Sequence, residues 1–361
     1  MSTDPKRVKV LIVDDSALIR AHLKQQLGKI PFVEIVGLAP DPFVARDILM
    51  KDSPDIILLD MEMPRMDGLT FLRKIMQYKP TPTLVISSVT PKGSATALAC
   101  LEAGAMDVLC KPSSAYSIDE LQDSILKWIQ EVGRQGAARM AQRLTAMIKT
   151  TAKGPAQLTG APGIATTNRL VAIGSSAGGP ETLRHMLGAL PRNSPGIVLC
   201  QHMGPKFLVQ LADRLNKDCR ITVKLAEDGD SILPGQALLA PGDSHTEVVR
   251  NGARYSVKVK KGSPVSGHMP AVDVLFGSMA KAGGANALGV ILTGMGSDGA
   301  SGMKKMRDAG STTVAQDEAT SIVYGMPARA VDAGGVQESL PIGSIAKRIV
   351  DFGNAGVRQS A

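Results

Sequence analysis

The sequence predicts an α/β protein in two parts: a doubly wound, five-strand parallel domain over residues 1–130, then, after a linker at 131–168, a second α/β domain with a mostly parallel sheet over 169–354. Three observations carry this reading. Short β-branched runs alternate with helix-periodic stretches through the first 130 residues, the pattern of βαβ units. Between about Glu131 and Asn168 the composition turns to Ala, Thr, Gly, Gln and Pro, with five Lys or Arg against one acid. From Leu170 to about residue 352 the alternation resumes. A chain of 361 residues also suits two domains of roughly 100–200 residues each.

In the first domain VKVLIV (8–13), VEIVGLA (33–39), DIILLD (55–60), TLVISSV (83–89) and DVLC (107–110) read as strands. Asp67 and Gly68 open a helix over Leu69 to Met76, and Ser117 with Glu120 forms a capping box ahead of Leu121, Ile125 and Trp128. Inside the linker, AARMAQRLTAMIK keeps apolar residues at helical spacing, whereas TAKGPAQLTGAPGIATT is too rich in Gly, Pro and Thr for regular structure. The second domain offers strands at 170–174, 196–201, 221–226, 236–240, 287–293 and 312–316, with ARYSVKVK (253–260) as one arm of a hairpin. No repeat with a period of roughly 20–50 residues is present.

Composition narrows the classes. An apolar fraction of 44% and a charged fraction of 20% are those of a soluble globular protein, and with aromatics at 3% the core falls to Val, Ile, Leu, Ala and Met. The net charge of +8 fits either an acidic partner or simple solubility. Nucleic acid is disfavoured, because basic residues are not interleaved with stacking aromatics and no zinc-finger spacing occurs. Cys100, Cys110, Cys200 and Cys219 form no CxxC pair and read as reduced core residues. No apolar run approaches the roughly 18 residues of a membrane span, so the expectation is a cytoplasmic protein without direct membrane insertion.

Polar residues stand at three strand ends of the first domain: Asp14 and Asp15, Asp60, and Lys111. Parallel strands bring their carboxyl ends to one edge, where open α/β folds bind ligands. Three carboxylates there resist ionising together unless a cation joins them, and a hard divalent ion such as Mg²⁺ suits oxygen donors. Capping of the next helix is the alternative for Asp15 or Ser16. With Asp60 followed by MEMPRMDG, serines at 87 and 88, and Lys111 followed by Pro112, residues 7–130 resemble a response-regulator receiver domain. The resemblance implies that Asp60 accepts a phosphoryl group from a histidine kinase. It further implies Mg²⁺ held by Asp15, Asp14, Asp60 and the backbone carbonyl of Glu62, with Ser87 and Lys111 drawn to the phosphoryl oxygens. Leu109 stands where many receivers carry an aromatic switch residue.

VAIGSSAGGPETL (171–183) contains GxSxG at Gly174–Gly178, a turn that can lift a serine hydroxyl clear of a sheet, cradle a phosphate or simply bend. The next strand ends in Cys200-Gln201-His202 rather than in a ribose-binding acid, and no P-loop lysine follows, which weakens both phosphate readings. His202 and, after ALGVILT, Asp298 in TGMGSDGA share the carboxyl edge with Ser176, so Ser, His and Asp converge from three strand ends. A triad is defined by geometry and not by chain order. Of the remaining histidines, His22 lies in the first domain, His185 follows Ser176 on its helix, and His245 and His268 sit in loops able to line the cleft.

A receiver joined to IGSSAGGPETL, QHM and LTGMGSDGA resembles the chemotaxis protein-glutamate methylesterase family, over both domains and the linker. That resemblance implies Ser176 as nucleophile, His202 as general base and acid, Asp298 as its orienting partner, and backbone N–H groups of Ala177 and Met295 as oxyanion donors. It implies chemoreceptor helices as substrate, methanol as product, a further glutamine deamidase activity, and no cofactor for the hydrolysis. In the unphosphorylated state the receiver is expected to cover the cleft. The chain departs from the family at Ala177, where Thr is common, at Gly204, where QHMP is usual, and at SGHMPAVD, which replaces both arginines flanking His268. The competing readings are a receiver with a nucleotide- or DNA-binding output and an inactive scaffold.

Overall fold

The structure is a computed structural model and describes residues 7–87, 91–111, 118–152, 154–159 and 169–355. The chain divides into two compact units, residues 1–149 and 150–361. Ser88, Pro112, Ser117 and residues 160–168, which figure in the sequence reading, lie outside the described residues.

Unit 1 alternates β1 (Val8–Val13), α1 (Ala17–Leu27), β2 (Val33–Ala39), α2 (Pro42–Asp52), β3 (Ile56–Asp60), α3 (Gly68–Tyr78), β4 (Thr83–Ser87), α4 (Pro91–Glu102), β5 (Asp107–Cys110), α5 (Ile118–Gln135) and α6 (Ala137–Ala152). The strands pair in parallel in the order β2-β1-β3-β4-β5. Because β1 first pairs on one side with β2 and then on the other with β3, the carboxyl ends of β1 and β3 flank a topological switch point, where a crevice opens. Strand β3 is buried throughout, as its unbroken apolar run requires in a sheet covered on both faces. Helix starts follow local chemistry: the Ser16 hydroxyl accepts from Ile19 N–H (3.4 Å), Asp41 from Phe43 and Val44 (2.8 and 3.1 Å), and Asp67 from Thr70 (2.8 Å).

The expected boundary at 130 and linker from 131 differ from the structure. Helix α5 runs on to Gln135, and unit 1 extends to Lys149 within α6. The apolar spacing of AARMAQRLTAMIK accounts for this: Met140 and Leu144 are buried, and Ile148 lies against the backbone of Gly104.

Unit 2 contains β6 (Leu170–Ser175), α7 (Gly179–Gly188), β7 (Gly196–Gln201), α8 (Pro205–Asp218), β8 (Thr222–Leu225), β9 (Gln236–Leu239), β10 (His245–Asn251), β11 (Arg254–Lys260), α9 (Val272–Gly283), β12 (Ala287–Ile291), α10 (Ala300–Asp308), β13 (Thr312–Gln316), α11 (Met326–Asp332), β14 (Glu338–Leu340) and α12 (Ile342–Ala355). Seven strands form one parallel sheet in the order β14-β13-β12-β6-β7-β9-β8, and β10 and β11 make a separate antiparallel hairpin. The switch point falls at β6, flanked by β12 and β7, and these three strands precede Ser176, Asp298 and His202. Among the described residues no helix is long and apolar enough to cross a membrane.

In unit 1 the indole N–H of Trp128, which is the chain's single tryptophan, donates to Asp107 Oδ2 (3.2 Å), and Val108 N–H donates to Oδ1 (2.8 Å). Burial pushes the Asp107 carboxyl up to about 6, with both hydrogen bonds pulling the other way. An unfolded aspartate titrates near 3.9, so between the two values the folded state holds the extra proton. Unit 1 therefore gains stability as pH falls from about 7 through about 6, down to the unfolded value. Asp107→Asn is expected to flatten this rise in urea unfolding followed by Trp128 fluorescence; an unaltered slope assigns it to other groups.

Candidate functional sites

The first site stands where β1, β3 and β5 end. Asp14 and Asp60 are buried, Asp15 is exposed, and one carboxylate oxygen from each lies within 4.8 Å of the others. The capping alternative goes to Ser16, which caps α1 and leaves Asp15 free of that task. Asp14 Oδ1 accepts from Ser16 N–H (2.8 Å), and Asp60 Oδ1 accepts from Glu62 N–H (3.2 Å). Lys111 Nζ pairs with Asp60 Oδ1 at 2.7 Å and stands 3.9 Å from Asp14 Oδ2. Burial raises both carboxyls above the ordinary range; Asp60 adds to the rise at Asp14, whereas Lys111 moderates the rise at Asp60. The second oxygens, Asp14 Oδ2 and Asp60 Oδ2, are buried without a hydrogen-bond partner among the described residues. Oxygen donors crowded together, with two of them orphaned, fit a hard divalent cation. Ser87, the buried last residue of β4, accepts Lys111 N–H on its carbonyl (2.9 Å) and so registers the lysine beside the acids.

The second site is built on β6, β7 and β12. Gly178, at φ +72°, caps α7 in a left-handed conformation costly for other residues, which lets the chain turn sharply after Ser176. Thr293 fixes the turn from the neighbouring strand end: its carbonyl accepts Ser176 N–H (3.0 Å), and its hydroxyl donates to Ala177 O (2.9 Å). The next residue, Gly294, comes so close that a Cβ there would stand 2.8 Å from Ser176 Cβ and 2.3 Å from Met326 Sδ. The backbone N–H groups of Ala177 and Met295 donate to no protein acceptor among the described residues, and so remain available to a substrate oxygen.

His202 Nε2 lies 2.8 Å from Asp298 Oδ2. Asp298 is buried, and its oxygens also accept from Val272 N–H (2.7 Å) and Asp273 N–H (2.9 Å), amides at the start of α9 that have no acceptor within the helix. Asp273 in turn accepts Gly302 N–H (2.7 Å) in the first turn of α10. Burial would raise the Asp298 carboxyl, but His202 and the two amides outweigh it and hold the group below its ordinary value. An ionised Asp298 fixes the imidazole with its proton on Nε2 and its lone pair on Nδ1. Nδ1 is buried and has no hydrogen-bond partner among the described residues, so it is not bonded to the Ser176 hydroxyl. Such bonds commonly close only in the substrate complex.

Gln201 was missed as a functional residue. Its Oε1 accepts the Ser175 hydroxyl (2.6 Å), and its Nε2 donates to Ser176 O (2.8 Å) and His202 O (3.1 Å). One buried amide thereby ties the serine turn to the histidine; a glutamine closing a strand was the only signal for it. His245, read as a loop residue able to line the cleft, instead opens a strand. His245 is buried at the start of β10, where Nε2 bonds Ser263 O (3.0 Å) and Nδ1 accepts Ala271 N–H (3.3 Å), bracing the loop between them. That loop places the His268 ring over His202, at 3.8 Å between centroids and 8° between planes. His185 is half-buried on α7, and burial, with Arg184 beside it, lowers its pKa.

Comparison with known proteins accords with this division. The family described as Response regulator receiver domain matches residues 10–125, and the family described as CheB methylesterase matches residues 171–349. The protein-glutamate methylesterase/protein-glutamine glutaminase 4 of Anaeromyxobacter dehalogenans is 48% identical, over 98% of this chain and 97% of its own length. The Salmonella typhimurium protein-glutamate methylesterase/protein-glutamine glutaminase is 46% identical, over 97% of this chain and 98% of its own. The solved catalytic domain of Thermotoga maritima CheB methylesterase is 37% identical with a TM-score of 0.50, covering 51% of this chain and 98% of that domain. With both units matched in order and full-length relatives spanning nearly the whole sequence, the chain belongs to the CheB methylesterase family.

Proposed function

We propose that this protein is a phosphorylation-activated methylesterase that hydrolyses glutamate methyl esters on the cytoplasmic helices of chemoreceptors, and that it also deamidates glutamines there. The observation that carries the reading is the His202–Asp298 pair, with Nδ1 left open on the sheet edge that holds Ser176. Both activities appear in the names of the relatives 46–48% identical to this chain. The basic net charge suits acidic receptor helices.

In this mechanism His202 Nδ1 takes the proton of the Ser176 hydroxyl as Oγ attacks the ester carbonyl carbon. Negative charge then builds on the former carbonyl oxygen, toward which the Ala177 and Met295 N–H groups donate; one such donor is typically worth roughly 10²–10³ in rate. The imidazolium returns its proton to the methoxy oxygen, the C–O bond breaks, and methanol leaves. His202 next deprotonates a water that attacks the acyl-enzyme, and Ser176 recovers its proton as glutamate departs. With glutamine the leaving group is ammonia. Throughout, Asp298 holds the ring and stabilises its charged form.

In unit 1 Asp60 accepts the phosphoryl group from a histidine kinase. Asp14, Asp15, Asp60 and the carbonyl of Glu62 would hold Mg²⁺, which supplies charge neutralisation for phosphoryl transfer. Ser87 and Lys111 meet the phosphoryl oxygens, and the cytoplasm is where receptor helices and kinase would be reached. Phosphorylation shifts the population toward a more active state, and a tenfold change in activity needs only about 1.4 kcal/mol.

Methanol release from methylated receptor membranes tests the whole reading. Ser176→Ala is expected to lose activity by roughly 10³-fold or more, while Asp60→Ala keeps the basal rate and loses the stimulation by a small phosphodonor. Unchanged release from Ser176→Ala would exclude this mechanism. Asp298→Asn is expected to lower kcat by roughly 10²–10⁴ with a much smaller change in KM, since the tautomer is lost and binding is not. At the receiver site the folded pKa of Asp14 is raised, so its ionised form destabilises the fold above that pKa. At neutral pH without divalent ions, Asp14→Asn should therefore raise the unfolding temperature of unit 1, by about 2–4 °C for each kcal/mol relieved. Added Mg²⁺ should raise it in the wild type and not in the variant, as read by calorimetry.

A further inference from the structure

Unit 1 carries a cavity of about 440 Å³ between α2 and α3, lined by none of the residues of the sites described above. Its floor is buried Leu49, Phe71 and Ile75. Its walls are large apolar side chains left in solvent: Phe43 is 42% exposed, Met50 65% and Tyr78 75%. Single exposed apolar residues are ordinary, but three around one apolar trough mark a binding surface.

Charge selects the occupant. Arg46, Lys74 and Lys79 line the trough, and no carboxylate does among the described residues. Lys79 is held by Leu49 O (2.7 Å) and Ser53 Oγ (2.9 Å), and Arg46 by Asp47 (2.7 Å), but no ion pair is formed by Lys74 among the described residues. The two helices have 11 residues each, roughly 16 Å of axis, which is about three turns. A third helix of that length can lay its apolar stripe between them and direct acidic residues to the rim.

We propose that this trough docks a short amphipathic helix of a partner protein, apolar on one face and rich in Glu or Asp along its flanks. The trough ends at Met66, on the loop that leads from Asp60 to α3. That loop is clasped to α2 by Arg65, which pairs with the α2 cap Asp41 and lies over the Phe43 ring at 5.5 Å. The partner therefore rests on the segment that follows the phosphoacceptor candidate.

The test uses the full-length protein and a fluorescein-labelled amphipathic peptide of about three to four turns, with Leu and Phe on one face and Glu elsewhere, beside a copy in which Lys replaces every Glu. The acidic peptide is expected to bind in fluorescence anisotropy and to shift the amide signals of α2 and α3. Met50→Glu and Tyr78→Glu should each weaken it by about tenfold or more, and Lys74→Glu by several-fold, with the salt sensitivity of an ion-paired rim. Basal methanol release should remain unchanged in all three variants, which separates this surface from the proposed catalytic site. Absence of binding by the acidic peptide, equal binding of the Lys copy, or equal binding by the variants would overturn the proposal. Lysine-sensitive binding to phosphatidylglycerol vesicles in place of the peptide, or dimers lost on Met50→Glu, would overturn it in favour of a lipid surface or a second copy.

Discussion

The carboxylate of Asp298 is the interaction on which the hydrolase unit depends. A buried charge is tolerated only when its surroundings replace the water it has lost, and here that replacement comes from two amides at the start of α9 and the ring of His202. The same contacts that stabilise the ion choose the tautomer of the histidine. Placement, ionisation and proton inventory are thus settled together, before a substrate arrives. The receiver shows the opposite economy: its acids are crowded, raised in pKa and left with orphan oxygens, so that unit is poised to take up positive charge or to lose negative charge.

Both sites occupy the same place in their sheets. Parallel strands carry their carboxyl ends to a single edge, and the reversal of strand order opens a crevice there. In unit 1 the reversal lies between β2 and β3 at β1, and in unit 2 between β7 and β12 at β6. Residues more than 100 positions apart, such as Ser176 and Thr293, are brought together by this topology alone.

Much of this was legible in the sequence because the parallel strands are short runs rich in apolar and β-branched residues. VKVLIV, VEIVGLA, DVLC, GIVLCQ and TTVAQ have the strand limits the runs announce. Strand β10 escaped notice, since HTEVVRN opens on a histidine and ends in polar residues; it belongs to a hairpin whose far face meets solvent. The placement of α6 was obscured because linker-like composition says nothing of where an amphipathic helix finds its cover. Ser176, His202 and Asp298 stood out as chemically capable types at strand ends. Gln201 and Thr293 did not, because their work is to hold backbone groups, and the groups they hold are invisible until the chain is folded.

The reciprocal caps of α9 and α10 have one further consequence. Asp298, which stands just before α10, covers the amides of α9, while Asp273 of α9 covers an amide of α10. Neither helix can fray at its start without stripping the other, so the two protect each other's amide hydrogens from exchange as a single block. The histidine's partner is therefore a member of a cooperative unit, and a tremor at either helix end is transmitted directly to the imidazole.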